Sequence, residues 1–178
     1  DQNSLLYTRA KTIIDNNKNT YYGAIGEQKA LSELQKLPDS FHVINNFKYH
    51  FSQALHRKSQ DEWINSVQID HLVIGPTGVY IIETKNWSNA SIQRLDLFSP
   101  VEQVKRTSYA LFVLLNRNIS LFSSALRSHW GTRKINVNNI ILMIGSKPDQ
   151  EFQFVKVLSL YEISYYLQKL KTIYNSDE

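Results

Sequence analysis

A chain of 178 residues with 42% apolar and 20% charged residues holds enough material for one well-filled domain and too little for two independent ones. It has no cysteine, which excludes disulfides, thiolate-bound zinc, iron–sulfur clusters and cysteine nucleophiles and leaves metal chemistry to oxygen and imidazole ligands. A net charge of +4 and a pI near 9.2 suit a nucleic-acid partner without requiring one.

Residues 1–20 set Leu5, Leu6, Ile13 and Ile14 among polar positions and then pass through Asn16–Asn19, which predicts a short helix or loosely docked arm ending in a linker. The domain proper is expected at 21–178. From Tyr21 onward Ala24, Ala30, Leu31, Leu34 and Leu37 recur at helical spacing and stop at Pro38-Asp39-Ser40, a helix of about four turns. Phe41–Phe51 alternates as a long strand, and the polar stretch Ser52–Ser66 reads as an inserted loop. Gln68–Ile74 and Val79–Trp87 are β-branched and aromatic runs separated by Gly75-Pro76-Thr77-Gly78, which predicts a hairpin.

Ser99 as N-cap, Pro100 at the first helical position and Glu102 three residues after the cap open a helix to about Asn116. Ile119–Trp130 reads as a second short helix, Asn139–Ile144 and Phe152–Leu158 as strands, and Ser159–Ile173 as a closing helix. The fold class is α/β or α+β, a mixed β-sheet flanked by helices. No run approaches the roughly 18 apolar residues of a membrane span. No membrane contact is therefore expected within this chain, and the expected location is cytoplasmic. Residue 1 is Asp rather than Met, so an upstream segment or anchor stays open.

The chemistry concentrates in the hairpin. If the loop has four residues, Ile74 pairs with Val79, and counting outward sets Asp70 opposite Glu83, with Lys85 two residues on and on the same face. The other positions of both faces are apolar, so the hairpin reads as buried on both sides. Opposed carboxylates in such a place repel and lose hydration. A divalent cation relieves both effects, since Mg²⁺ accepts one or two carboxylates and keeps positions for water and phosphate. A structural ion pair with Lys85 or another basic residue is the competing reading. A bulge or an odd-length loop would turn Asp70 to the opposite face. Glu27 falls on the apolar stripe of its helix, or serves as a first-turn acid favoured by the helix dipole. Gln103 lines up with Thr107, Ala110 and Leu114 and is expected to point inward.

Taken in order, Gly23-Ala24-Ile25-Gly26-Glu27, Gln68-Ile69-Asp70-His71, Gly75-Pro76-Thr77-Gly78-Val79-Tyr80, Ile82-Glu83-Thr84-Lys85-Asn86-Trp87, and Pro100 with Gln103 resemble the NERD (nuclease-related) domain. The likeness runs from about Tyr21 to Asn116, with weaker agreement through Ile144. That family is placed in the PD-(D/E)XK superfamily, so the resemblance implies a restriction-endonuclease-like core and metal-dependent hydrolysis of phosphodiester bonds in DNA. By motif position it implies Asp70 as the first carboxylate, Glu83 and Lys85 as the E-x-K, Glu27 as the helix acid and Gln103 as the polar residue of the next helix. Mg²⁺ or Mn²⁺ would be held by Asp70, Glu83 and the Thr84 carbonyl, with Glu27 assisting through water, and Lys85 would orient or help deprotonate the attacking water. Ile69 stands where the motif has proline. As partners the resemblance implies nucleic acid, DNA favoured over RNA, and a helicase or other DNA-processing protein. The alternative is an inactive nucleic-acid-binding or partner-docking module that keeps the nuclease fold.

His71 is expected to be a structural core histidine, and His42, His50, His56 and His129 lack ligand spacing. Arg57-Lys58, Lys105-Arg106 and Arg133-Lys134 are the best candidates for phosphate contacts, with Lys48 and Tyr49 on the first strand, although each is expected to be a solvated surface charge. Trp63 and Trp87 could stack on bases but are expected in core or rim. No phosphate loop, dinucleotide fingerprint or nucleophile elbow is present, so NTP hydrolysis is not expected.

Overall fold

The predicted hairpin forms the centre of a five-stranded sheet in the computed structural model, which describes residues 2–87, 98–117 and 134–170. The elements are α1 (Gln2–Leu34), β1 (His42–Arg57), β2 (Glu62–Gly75), β3 (Gly78–Lys85), α2 (Phe98–Arg117), β4 (Val137–Met143), β5 (Lys156–Ser159) and α3 (Ile163–Lys169). Strands lie in chain order, β1-β2-β3-β4-β5. The pairs β1–β2 and β2–β3 are antiparallel, whereas β3–β4 and β4–β5 are parallel. A parallel step needs a crossover, and α2 lies in the one between β3 and β4. The result is an α+β fold with a mixed sheet and helices on both faces.

The period of two along β3 divides the core. Tyr80 and Ile82 join Val73, Ile140 and Leu142 on one face, covered by Ala30 and Leu34 of α1 and by Ile163 and Leu167 of α3. Val79 and Ile81 join Leu72, Ile141 and Met143 on the other, covered by Val101, Val104 and Leu111 of α2. β3 is therefore sandwiched between two apolar layers until its last residues. No helix among the described residues is long and apolar enough to cross a membrane.

Several expectations are corrected. The linker at Asn16–Asn19 is instead continuous helix, because no Gly or Pro interrupts the chain before Gly23. Within it Lys18 pairs with Asp15 at 2.6 Å. The inserted loop at Ser52–Ser66 is mostly strand: β1 and β2 extend as a hairpin arm closed by a 3₁₀ turn at Lys58–Gln60. A register shift between His50 and Leu55 breaks the alternation that would have marked the strand, yet Leu55, Ile64 and Val67 bury against Ala110 of α2.

The β2–β3 turn has two central residues, Pro76 and Thr77, flanked by the pair Gly75↔Gly78. Gly78 has φ 135°, a conformation that favours glycine. α2 already includes Phe98, so Ser99 lies inside the first turn rather than at its cap. β3 stops at Lys85, and Phe152 forms only an isolated bridge with Val155 before β5. α3 starts at Ile163 rather than at Ser159, and the Glu162 carboxylate accepts the Ser159 N–H at 2.7 Å, which is half of a capping box. The predicted helix Ile119–Trp130 and the end of the closing helix fall outside the described residues.

Candidate active site

The hairpin register is the expected one: Ile74 faces Val79, Leu72 faces Ile81 and His71 faces Ile82. There the β2–β3 ladder ends, so Asp70 and Glu83 are not a hydrogen-bonded strand pair. The β1–β2 register also passes over Asp70, with Asn45↔His71 and Phe47↔Ile69 on either side and Asn46 at φ 51°. β3 stays paired with β4, through Glu83↔Ile141, Thr84↔Leu142 and Lys85↔Met143, and Ile144 N–H donates to the Lys85 carbonyl at 3.0 Å. The last residues of β3 are thus held on one side and released on the other.

Asp70 fills the released side. Its Oδ2 accepts the Thr84 N–H at 2.8 Å, a bond a continued β2 ladder would have supplied from backbone. The N–H and C=O of one strand residue point the same way, so the Thr84 carbonyl faces this side as well. Glu83 is buried, and its Oε1 accepts both the Lys85 ammonium at 2.7 Å and the Gln103 amide at 3.0 Å. None of these bonds engages Oε2 of Glu83 or Oδ1 of Asp70. Burial raises the pKa of both carboxyls. Asp70 is lifted further by Glu27 and lowered by the Thr84 N–H and Lys85, while Glu83 is lifted further by Asp70 and lowered by Lys85 and Gln103.

The structure thus gathers Asp70, Glu83, Thr84, Lys85 and Gln103 at the end of β3, with Glu27 in electrostatic reach. Two placements differ from expectation. Glu27 is exposed, because the buried stripe of α1 runs through Gly26, Ala30 and Leu34 instead. Gln103 is also largely exposed, and only its amide reaches in to Glu83. α1 is brought to this end of the sheet by Gly26: a Cβ there would lie 2.8 Å from Cβ of Asn86, whose Nδ2 donates to the Tyr22 carbonyl at 2.8 Å. His71 points to the opposite face, as expected. Its Nδ1 meets Asn45 Oδ1 at 2.7 Å, its Nε2 is buried without a partner, and burial pushes its pKa down to about 4.

Among the described residues no three His, Asp or Glu side chains are gathered closely enough to ligate one ion. A hard cation at this centre would therefore rest on two carboxylates, backbone carbonyl and water, which is a donor set Mg²⁺ accepts. The two lifted carboxyls and the unengaged oxygens fit that group.

The basic residues nearby are held in ion pairs, and of Trp63 and Trp87 only Trp63 departs from the expected core or rim position. Arg57 sits 3.7 Å from Glu62 and 3.8 Å from Glu102, Arg106 pairs with Glu62, and Lys105 pairs with Glu102 at 3.1 Å. They are committed to ion pairs rather than presented to phosphate. Trp87 is partly buried against the α2-side core, while Trp63 is exposed. Arg133, His129 and Trp130 lie outside the described residues.

A family model for the nuclease-related domain matches residues 22–143. A Bacillus anthracis protein, itself described as uncharacterized, is 36% identical over 66 residues, which cover 36% of this chain. That match spans 26% of the Bacillus protein's own length, so the chain corresponds to a fraction of it.

Proposed function

Because the chain belongs to the nuclease-related domain family, we propose that it is a metal-dependent nuclease domain hydrolysing phosphodiester bonds in DNA. The observation that carries the reading is the buried Glu83 carboxylate, shared by Lys85 and Gln103 through one oxygen and set beside Asp70. Two lifted carboxyls are costly where no partner neutralises them both, and Lys85 alone brings one charge against two.

Asp70, Glu83 and the Thr84 carbonyl would hold Mg²⁺ or Mn²⁺, with Glu27 positioned to act through water. Such an ion supplies a polarised phosphoryl oxygen and a more acidic water. The chain's own groups do the rest. Gln103 and Lys85 fix the Glu83 rotamer. Lys85 keeps its remaining N–H donors for a phosphate oxygen or the attacking water. The Thr84 N–H fixes the Asp70 carboxylate, so neither acid must reorganise when substrate arrives.

The test is cleavage of plasmid and linear DNA with and without Mn²⁺, comparing wild type with Lys85→Ala and Asp70→Ala. Loss of Mn²⁺-dependent cleavage in both variants is expected. Undiminished cleavage in both refutes the assigned roles, and salt-sensitive binding without any cleavage points to the inactive module.

A further inference from the structure

Gln103 belongs to two places at once. Its amide reaches Glu83, and it also lines an open groove of about 660 Å³ with Arg57, Glu62, Trp63, Glu102 and Arg106. Trp63 is 61% exposed in this groove, although an indole of that size normally finds cover. It is nonetheless braced. His56, its cross-strand partner, stacks on it with ring centroids 4.5 Å apart and planes 15° from parallel. The His56 ring meets Asp61 Oδ1 at 2.9 Å, and its carbonyl accepts the Tyr109 hydroxyl of α2 at 3.1 Å. With one face on His56, the indole offers the other to solvent.

The charges around it decide what fits. Arg57 and Arg106 are already paired with Glu62 and Glu102, and Asp61 adds a further carboxylate to the wall. With Lys105 also on Glu102, three cations meet three anions, so the groove has no surplus positive charge with which to clamp a phosphate. These groups suit a nucleobase, whose π-face stacks on indole and whose exocyclic amino group donates to carboxylate. A base in a duplex is stacked and paired and cannot lie on an indole, so the occupant must be unpaired.

We propose that Trp63, braced by His56 and edged by Glu62 and Glu102, is a nucleobase subsite that holds an unpaired nucleotide of the substrate beside the Glu83 centre. The proposal rests on the reading of the chain as a nucleic-acid-acting domain, and it adds a preference for single-stranded or frayed substrate.

The experiment measures binding of 5′-fluorescein oligodeoxynucleotides, single-stranded and duplex, to the whole chain in EDTA by fluorescence anisotropy. Tighter binding of the single strand is expected. Trp63→Ala should weaken that binding about 5- to 100-fold and leave duplex binding within about 3-fold, while Trp63→Phe retains most of it. Intrinsic fluorescence gives a second readout that does not need the alanine variant to fold: single strand should quench wild type, and the quench should vanish in Trp63→Phe. Among homopolymers, dT lacks an exocyclic amino group and should bind less well than dA or dC. Equal binding of all three overturns the role given to the carboxylates. Single-strand affinity indifferent to Trp63, or no preference over duplex, overturns the subsite. Cleavage is scored separately. Trp63-dependent binding with no cleavage supports the subsite while refuting the hydrolytic reading, and cleavage with Trp63-independent binding does the reverse.

Discussion

Replacing Asp70 by Asn is expected to stabilise the metal-free protein at neutral pH while removing its response to Mn²⁺. Asparagine keeps an oxygen for the Thr84 N–H and loses the charge that burial and Glu27 oppose. Like charges at an effective dielectric of about 20 repel by about 2–4 kcal/mol over the range of about 4–8 Å. Lys85 offsets part of this, and the weaker bond to a neutral acceptor gives back about 1 kcal/mol, which leaves a net gain of about 1 kcal/mol. That is about 2–4 °C in melting temperature for a chain of this length.

The pH dependence follows from the direction of the shift. The folded-state pKa of Asp70 is raised above 3.8, so the folded protein keeps this proton to higher pH than the unfolded chain. Its penalty is absent below the unfolded value, grows as pH rises from there to the raised value, and is complete above it. Calorimetry in EDTA at pH 4.5 and 7.5 should therefore show the asparagine advantage mainly at pH 7.5. Adding Mn²⁺ at about 100 times its Kd should stabilise wild type by about 2.7 kcal/mol and the variant by much less. A variant less stable than wild type at pH 7.5, an equal advantage at both pH values, or an equal response to Mn²⁺ would refute the reasoning.

Lys85→Met leaves the buried Glu83 carboxylate without the ammonium now 2.7 Å away. Urea unfolding should show a loss of about 1–3 kcal/mol, and cleavage should fall at least about 100-fold. Gly26→Ala gains about 1 kcal/mol of helix propensity but sets its Cβ 2.8 Å from Asn86 Cβ, so α1 must shift and carry Glu27 with it. A net loss of about 1–2 kcal/mol with reduced cleavage is expected, and a stabilised variant would contradict the close contact. Burial pushes the His71 pKa from 6.5 down to about 4, so its contribution to stability is full above pH 6.5 and is lost as pH falls through about 4. The loss amounts to about 3 kcal/mol when complete, and His71→Gln should flatten the stability profile across that window.

The sheet, the order of elements and the hairpin register were legible because Gln68–Ile74 and Val79–Lys85 are dense in β-branched residues around a Gly-flanked turn, and the count outward from Ile74↔Val79 is robust to turn length of the same parity. The arm from Ser52 to Ser66 was not. Its buried residues, Leu55, Ile64 and Val67, are spaced across a register shift, and the strand pays no heed to the polar residues between them because they face solvent. Glu83 and Lys85 came together as counted, and Asp70 sits beside them on the Thr84 N–H rather than as the cross-strand partner of Glu83 that the count gave. What counting from residue to residue could not give was the end of the ladder at His71↔Ile82, since that depends on where β1 distorts at Asn46 and where β4 keeps hold of β3. Trp63 was named as a base-stacking residue but expected in core or rim, for a similar reason. It lies exposed on the side of the hairpin arm opposite the buried Ile64, and composition alone makes an indole look like core.

The half-released end of β3 explains why charged groups are tolerated in so apolar a strand. Through Ile82 every position of β3 is buried, and substituting a charge there would leave it with no partner but carbon. Beyond Ile82 the β4 ladder still fixes the backbone, so side-chain directions at Glu83 and Lys85 remain set by the pleat. Loss of β2 on the other side frees the Thr84 N–H and carbonyl and admits a carboxylate in their place. Rigidity from one neighbour and vacant backbone polarity from the other are both needed. A strand paired on both sides would have no room for Asp70, and one paired on neither could not hold Lys85 at 2.7 Å from Glu83. On this argument a change in β4 that weakens the parallel pairing at Ile141–Met143 should impair the site as surely as a change in its acids, although β4 supplies none of those acids.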